Sequence, residues 1–186
     1  MILFIHGFAS CGLGRKSELL REYFGSGQVL APDLPGQPAE AIDFLESLLE
    51  THQITLLVGS SLGAYFATWL NRTRRLPAVL INPAIAPYLL LEDYLGKHAG
   101  CGGRTIEVTP ESLATLRKLH RPRLRADEHY LVLLQTGDEV LDYGQAAAYY
   151  AGKDVVIEQG GSHRFENFSH HLPRIAAWAR EHEQKG

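Results

Sequence analysis

Six short apolar runs, separated by segments with helical spacing, constrain the fold of this chain more than any other feature of its sequence. Most of the runs are continuous rather than alternating with polar residues, which is typical of strands covered on both faces. Strands that alternate with helices form βαβ units. The pattern therefore predicts an α/β fold with a mostly parallel sheet of about six strands and helices on both faces. The runs are Ile2–Ile5, Gln28–Ala31, Ile54–Val58, Ala78–Ile81, Tyr130–Gln135 and Asp154–Glu158.

Large apolar side chains recur at three- and four-residue spacing between these runs, which predicts amphipathic helices. The predicted helices are Gly14–Phe24, Ala39–Thr51, Leu62–Arg72, Gly144–Ala151 and Leu172–Glu183. One long stretch, residues 84–129, interrupts the alternation and exceeds what a simple crossover needs. It contains the loop-like Gly100–Gly103 and a predicted helix at Pro110–Leu119. We expect this cap segment (residues 84–129) to be an insertion over the carboxyl ends of the strands, within a single domain spanning residues 1–186.

The composition excludes several classes of protein. Hydrophobic residues make up 45% and charged residues 21% of the chain, a balance typical of globular proteins. The formal net charge of −3 favours neither nucleic acid nor an anionic membrane as a partner. No signal-peptide pattern and no membrane-spanning run is visible, so we expect a cytoplasmic protein. Monomer and weak dimer both remain open. Cys11 and Cys101 form no metal-spaced pair, so we expect two free thiols and no metal.

The sequence Leu-Leu-Val-Gly-Ser-Ser-Leu-Gly-Ala-Tyr-Phe matches the pattern G-x-S-x-G at Gly59, Ser61 and Gly63. A buried-strand run precedes the pattern and a helix-competent run follows it, as a nucleophile elbow requires. In such an elbow the serine takes a strained backbone conformation, and small residues two positions on either side avoid collision. We therefore predict that Ser61 is a catalytic nucleophile.

A serine nucleophile needs a base, and the base needs an orienting acid; in an elbow fold these follow in the order serine, acid, histidine. Asp138 follows the fifth apolar run, and His163 follows the sixth in a glycine-rich loop. We predict Asp138 as the acid and His163 as the base. Glu139 and Asp142 are alternative acids near Asp138, whereas Asn82, after the fourth run, is not a carboxylate.

Acyl transfer also needs N–H donors that stabilise the oxyanion. One is expected to be the backbone N–H of Leu62, directly after the predicted nucleophile. The other is expected in the loop after the first strand, where His6-Gly7-Phe8 would present the N–H of Phe8.

At these residues the sequence resembles the α/β-hydrolase superfamily and, within it, the YqiA-like family of small bacterial esterases. The matching pieces are "FIHGFAS", "LLVGSSLGAYFATWL", "LPAVLINPAIAPYLLLEDYLG", "QTGDEVLDYGQAAAYYA" and "IEQGGSHRFENF", which span nearly the whole chain. The resemblance implies a trimmed hydrolase core, hydrolysis of carboxylic esters or acyl thioesters such as acyl-coenzyme A, and no cofactor. It also implies a Ser61–Asp138–His163 triad. Ala64, Ser162 and Arg164 depart from residues that the family often carries.

Some residues are weaker candidates for substrate binding. Tyr88 could line an acyl pocket, and Arg164 could bind an anionic group of the substrate. Five basic residues of the cap segment could contact phosphates, although a solvated surface explains them as well. They are Arg117, Lys118, Arg121, Arg123 and Arg125. Two other functions stay open: an acyltransferase or peptidase with the same triad, and a non-catalytic binding protein on the same fold.

Overall fold

The computed structural model describes residues 1–182 and contains eight strands and seven α-helices in that part of the chain. The strands are β1 (Ile2–Ile5), β2 (Val29–Leu30), β3 (Leu56–Ser60), β4 (Ala78–Ile81), β5 (Gly96–Ala99), β6 (Thr105–Val108), β7 (Tyr130–Gln135) and β8 (Asp154–Glu158). The helices are α1 (Arg15–Phe24), α2 (Pro38–Thr51), α3 (Leu62–Arg74), α4 (Pro87–Leu90), α5 (Pro110–Leu119), α6 (Tyr143–Tyr149) and α7 (Leu172–His182).

Six of these strands form one parallel sheet in the order β2-β1-β3-β4-β7-β8, which confirms the predicted α/β architecture. Four strands have the predicted bounds, whereas β2 is shorter and β3 begins at Leu56 and extends to Ser60. The predicted last helix is present from Leu172 to His182, and its predicted end at Glu183 lies outside the described residues. Every helix within residues 1–182 falls short of the length and apolar character needed to cross a membrane.

Helices cover both faces of the sheet, as predicted. Successive side chains of a strand point to opposite faces, so each strand contributes to a buried cluster on either side. Leu3 and Ile5 of β1 belong to a buried cluster that also contains residues of α2, α3, α5 and α6. Ile2 and Phe4 belong to a second cluster, which is completed by residues of α1 and α7. Each large apolar side chain that is fully buried in this way stabilises the fold by roughly 1.5–3 kcal/mol.

The strand order reverses direction between β1 and β3, because β2 lies on one side of β1 and β3 on the other. The loops that follow these two strands leave the carboxyl edge of the sheet in opposite directions. In open parallel sheets such a reversal leaves a crevice in which ligands bind. The crevice here lies between the loop after β1 and the beginning of α3.

The cap segment contains a hairpin that the sequence did not predict. Gly100–Gly103, expected to be a loop, forms the turn between the antiparallel strands β5 and β6, with a short 3-10 turn at Cys101–Gly103. Each of these strands has four residues, and half or more of those residues are exposed. Such short, polar strands carry too little apolar periodicity to be recognised from sequence.

The hairpin is joined to the loop after β1 by a disulfide between Cys11 and Cys101, so the expectation of two free thiols is wrong. The Cα atoms of the two cysteines are 5.4 Å apart, although the residues are 90 positions apart in sequence. Arg104 links the hairpin to the loop after β2, since its guanidinium donates to the backbone oxygen of Leu34 at 3.3 Å. Sequence spacing could not reveal the pairing, because it depends on where the undetected hairpin packs.

Removing this disulfide is expected to destabilise the protein. A cross-link that closes a loop of this length restricts the unfolded chain, and such bonds typically contribute about 2–4 kcal/mol. Thermal unfolding of a Cys11→Ser, Cys101→Ser double variant should therefore show a lower midpoint than that of the untreated wild type. Reductant should lower the wild-type midpoint and leave that of the double variant unchanged. Two titratable thiols in native, untreated protein would contradict this assignment.

Candidate active site

Ser61 lies at a sharp turn between β3 and α3, in a strained backbone conformation. Its φ of 55° and ψ of −118° are unusual for a residue with a side chain. The turn is fixed by the backbone N–H of Ser61, which donates to the carbonyl of Ile81 at 3.0 Å. A Cβ atom at Gly59 would lie 2.6 Å from the Cα of Ala64, so β3 and α3 pack too closely for any side chain there. The local structure is that of a nucleophile elbow.

Gly63 is expected to tolerate no substitution, because α3 crosses β1 at this residue. A Cβ atom there would lie 2.0 Å from the carbonyl oxygen of Ile5, and neither backbone is free to move aside. Alanine gains about 1 kcal/mol over glycine in a helix, and the collision should exceed that gain by several-fold. Gly63→Ala should therefore lower the free energy of unfolding by at least about 2 kcal/mol in denaturant titration.

Gly27→Ala is the matched control for this prediction. A Cβ atom at Gly27 would meet no heavy atom within 4 Å. An equal loss of stability in the two variants would contradict the proposed close packing of α3 against β1.

Three predicted residues form a continuous hydrogen-bonded chain. The His163 Nδ1 atom lies 2.9 and 3.0 Å from the two carboxylate oxygens of Asp138. Because an ionised carboxylate only accepts hydrogen bonds, Nδ1 carries the proton and donates it. Nε2 is then free to accept from the hydroxyl of Ser61, whose Oγ atom is 3.1 Å away. The arrangement orients His163 to remove the proton of Ser61.

The local electrostatics keep Asp138 ionised. Burial by itself raises the pKa of Asp138, but hydrogen bonds from His163 and from the N–H groups of Leu141 and Val140 outweigh burial and lower the pKa below its usual value. These backbone donors lie 2.8 and 2.9 Å from Oδ1. The Asp138 side chain is only 2% exposed, whereas that of His163 is 23% exposed. Asp138 is thus a fixed negative charge at neutral pH, and His163 remains accessible from the cavity.

The two alternative acids have other partners. The Glu139 carboxylate accepts from the backbone N–H of His163 at 2.9 Å and makes no hydrogen bond with its ring. Asp142 accepts from the N–H of Gly144 at 2.8 Å and caps α6. Of the three candidates, Asp138 is the one that contacts the imidazole.

Two buried residues that the sequence analysis did not assign hold the His163 loop in place. Asn82 donates through Nδ2 to the carbonyls of Ser162 and His163, at 3.0 and 3.3 Å. Gln135 accepts through Oε1 from the N–H groups of Ser162 and Glu166. Both side chains are almost fully buried. The one indication of this role in the sequence is that each is a polar residue at the carboxyl end of a buried strand.

The two predicted oxyanion donors have no hydrogen-bond partner in the part of the chain that the structure describes: neither the N–H of Phe8 nor that of Leu62 donates a hydrogen bond there. His6 fixes the first of these, because its Nδ1 atom donates to the carbonyl of Gly7 at 2.8 Å while Nε2 accepts from the N–H of Leu34. A trans peptide points its C=O and N–H in opposite directions, so the N–H of Phe8 points away from this network. Burial lowers the pKa of His6, in keeping with its neutral, structural role.

A cavity of about 470 Å³ opens beside these groups, and Ser61, His163, Phe8 and Leu62 all line it. Its remaining wall is largely apolar and comes from α4, the 3-10 turn after it and the loop after β7. These apolar residues include Pro87, Leu90, Leu91, Tyr94, Val140 and Leu141. The cavity therefore brings the serine–histidine pair, two N–H donors and an apolar surface together.

The weaker candidates for substrate binding divide into two groups. Arg164 lines the cavity, whereas Tyr88 does not: its ring contacts His120 and lies under the guanidinium of Arg117. The five basic residues of the cap segment are likewise absent from the lining. Arg117 pairs with Glu92, and Arg121 lies over the ring of Trp69. The structure thus places Arg164 at the site and the other six residues away from it.

One group of possible metal ligands is present within residues 1–182. The ligand atoms of Cys11, Asp33 and Cys101 lie within 4.8 Å of one another. The two sulfur atoms are bonded to each other, and Asp33 accepts from the N–H of Gly12 at 2.8 Å, so the group offers no set of three ligands while the disulfide persists.

Comparison with known proteins identifies the family. The model of the Uncharacterised protein family UPF0227 matches residues 1–180. This chain belongs to the UPF0227 family. A UPF0227 relative, the protein YcfP of Salmonella paratyphi B, is 26% identical, with 96% of this chain and 98% of the relative covered. The UPF0227 assignment therefore applies to almost the whole sequence.

Solved structures share the fold of this UPF0227 protein at low sequence identity. The mouse alpha/beta hydrolase domain-containing protein 10 has a TM-score of 0.69 and 18% identity, with 95% of this chain and 87% of that chain covered. The monoacylglycerol lipase of Paleococcus ferrophilus has a TM-score of 0.71 and 18% identity, with 98% and 94% covered. These similarities confirm the predicted α/β-hydrolase fold, and the UPF0227 match confirms the resemblance to the YqiA-like family.

Proposed function

We propose that this UPF0227 protein is a serine esterase that hydrolyses carboxylic esters or acyl thioesters of small molecules. The observation that carries the proposal is the hydrogen-bonded chain Ser61–His163–Asp138, which opens into a cavity beside two N–H groups without acceptors. A histidine that is held by a buried carboxylate and hydrogen-bonded to a strained serine is the arrangement that activates a hydroxyl for attack. The chemistry of such a site needs no cofactor.

The reaction would begin when His163 Nε2 takes the proton of Ser61 and Oγ attacks the carbonyl carbon of the ester. The negative charge that develops on the carbonyl oxygen would be stabilised by the N–H groups of Phe8 and Leu62. His163 would then give its proton to the departing alcohol or thiol, which leaves an acyl group on Ser61. Water, deprotonated by His163, would release the acid and restore the serine. Asp138 would stabilise the histidine cation in both steps.

The similarity in fold to a protein named as a monoacylglycerol lipase supports ester hydrolysis as the reaction class. The apolar wall of the cavity supports an acyl group as its occupant, because burial of apolar surface drives such binding. We also propose that the cap segment of this single-domain enzyme shapes the acyl pocket, since α4 and the residues after it supply part of that wall.

The proposal includes a cytoplasmic location, where the disulfide between Cys11 and Cys101 would have to resist reduction. Cytosolic glutathione and thioredoxin keep most thiols reduced. Rapid alkylation of thiols in intact cells, followed by mass analysis, would establish whether Cys11 and Cys101 are paired where the protein works.

The proposed function is tested by product analysis, together with a measurement of ligand binding. We expect p-nitrophenyl esters and acyl-coenzyme A thioesters to be hydrolysed, with rates that vary with acyl chain length. Peptide amides should be cleaved far more slowly, and added alcohols should trap little of the acyl group. Efficient trapping by an alcohol would favour an acyltransferase, and peptide cleavage would favour a peptidase. Saturable ligand binding without turnover of any substrate would favour a binding protein.

A further inference from the structure

Two cationic side chains lie at the edge of the candidate active site. The cavity beside Ser61 adjoins a second cavity of about 640 Å³, which is bounded by α1 and by the segment after His163. Lys16 and Arg164 line both cavities and therefore lie where the two meet. Lys16 is half-buried in the first turn of α1, and Arg164 directly follows His163.

Neither cation is neutralised by the protein. Within residues 1–182, the amine of Lys16 and the guanidinium of Arg164 make no ion pair and no hydrogen bond. The Glu166 carboxylate also borders the second cavity, but it pairs with neither of them. Other arginines of the chain do have carboxylate partners. These are Arg72, Arg74, Arg104 and Arg117.

The placement of these charges is unfavourable in the free protein. The N-terminus of a helix is its positive end and favours anions, yet α1 begins with Arg15 and Lys16. Burial, and then the positive charge of Arg164, lower the pKa of Lys16. A bound anion would relieve both the like-charge repulsion and the unfavourable interaction with the helix end.

We propose that Lys16 and Arg164 form a subsite for an anionic group, carboxylate or phosphate, carried by the ester or thioester that Ser61 attacks. This inference rests on the proposed function and names its substrate class. The guanidinium of Arg164 can donate hydrogen bonds to two oxygens of such a group at once, while Lys16 adds a compact positive charge. The opposite wall, with Leu90, Leu91 and Val140, is apolar. The preferred substrate is therefore amphipathic and carries both an apolar portion and an oxyanion.

The subsite is tested by two p-nitrophenyl esters of matched shape. The hemiglutarate carries a terminal carboxylate, and the 5-methylhexanoate replaces its two oxygens with methyl groups. We expect wild type to favour the anionic ester in kcat/KM. The selectivity ratio is kcat/KM for the anionic ester divided by kcat/KM for the neutral ester. Lys16→Met and Arg164→Met should each lower this ratio by about 10-fold, and the double variant should lower it by about 100-fold. Arg180→Met, on the exposed side of α7, is the matched control and should leave the ratio unchanged.

Competition assays separate the two sources of the anion. Glutarate that inhibits neutral-ester hydrolysis more strongly than inorganic phosphate would identify a carboxylate subsite, and the reverse order would identify a phosphate subsite. In both cases the double variant should lose the inhibition. An unchanged selectivity ratio in the double variant, with no loss of inhibition by either anion, would overturn the proposal.

Binding to a Ser61→Ala protein distinguishes failure of the subsite from failure of the esterase. We expect glutarate or inorganic phosphate to bind this variant about 10-fold more tightly than the same variant with Lys16→Met added, by calorimetry. That difference would support the subsite even if no ester were hydrolysed. Equal affinities, or no binding of either anion, would overturn it even in a protein that proves to be an active esterase.

Discussion

Replacing Ser61 with alanine is expected to lower kcat for p-nitrophenyl ester hydrolysis by on the order of 10⁶-fold. The substitution removes the attacking oxygen, while the cavity and the N–H groups of Phe8 and Leu62 remain. The rate that remains should be about 10³–10⁴-fold above the uncatalysed rate, because these groups still stabilise the transition state. The alanine adds no atom and so creates no collision, and the fold should persist with little change in the midpoint of thermal unfolding.

Ser47→Ala provides the matched control, since Ser47 is exposed on α2 and its hydroxyl bonds only within that helix. It should retain wild-type kcat. Substantial hydrolysis by the Ser61→Ala protein, after correction for background, would show that another group performs the attack.

Asp138→Asn is expected to lower kcat by about 10⁴-fold with a small effect on the fold. The amide is nearly isosteric with the carboxylate, but its NH₂ group can donate to His163 Nδ1. The imidazole would then carry its proton on Nε2, where it cannot accept the proton of Ser61. The amide would also leave the histidine cation without a compensating charge. Steady-state kinetics should show the loss in kcat, with the midpoint of thermal unfolding recorded in parallel.

Asp142→Asn is the matched control for this second prediction. It makes the same chemical change in the same loop, and asparagine caps helices as well as aspartate does. Its kcat should stay within a few-fold of wild type. Equal losses in the two variants would mean that the loop tolerates neither amide, and would contradict a specific role for Asp138.

The order of elements and the three aligned residues could be predicted from the sequence because their signals are local. A buried strand is a run of adjacent apolar residues, and the parallel sheet brings the ends of such runs to one edge. Ser61, Asp138 and His163 each follow one run, so their meeting depends on strand order rather than on side-chain detail. The structure brings all three together within hydrogen-bond distance.

The features that the sequence did not reveal depend on contacts between distant segments. The disulfide depends on where the β5–β6 hairpin packs, and the support of the His163 loop depends on the polar side chains of Asn82 and Gln135 reaching across the sheet edge. The sequence makes Tyr88 a candidate cavity residue because it begins an apolar run, and Leu90 and Leu91 of that run do line the cavity. Its ring instead packs against His120, since successive residues of a short helix point in different directions.

The most direct test of the central claim is covalent labelling with a fluorophosphonate, followed by intact mass and peptide mapping. We expect one adduct per chain, located at Ser61, and a rate of labelling that falls by several orders of magnitude in a folded His163→Ala variant. An adduct at a different residue would contradict the claim that His163 activates Ser61 as the nucleophile. Equally fast labelling of the His163→Ala protein would contradict it as well.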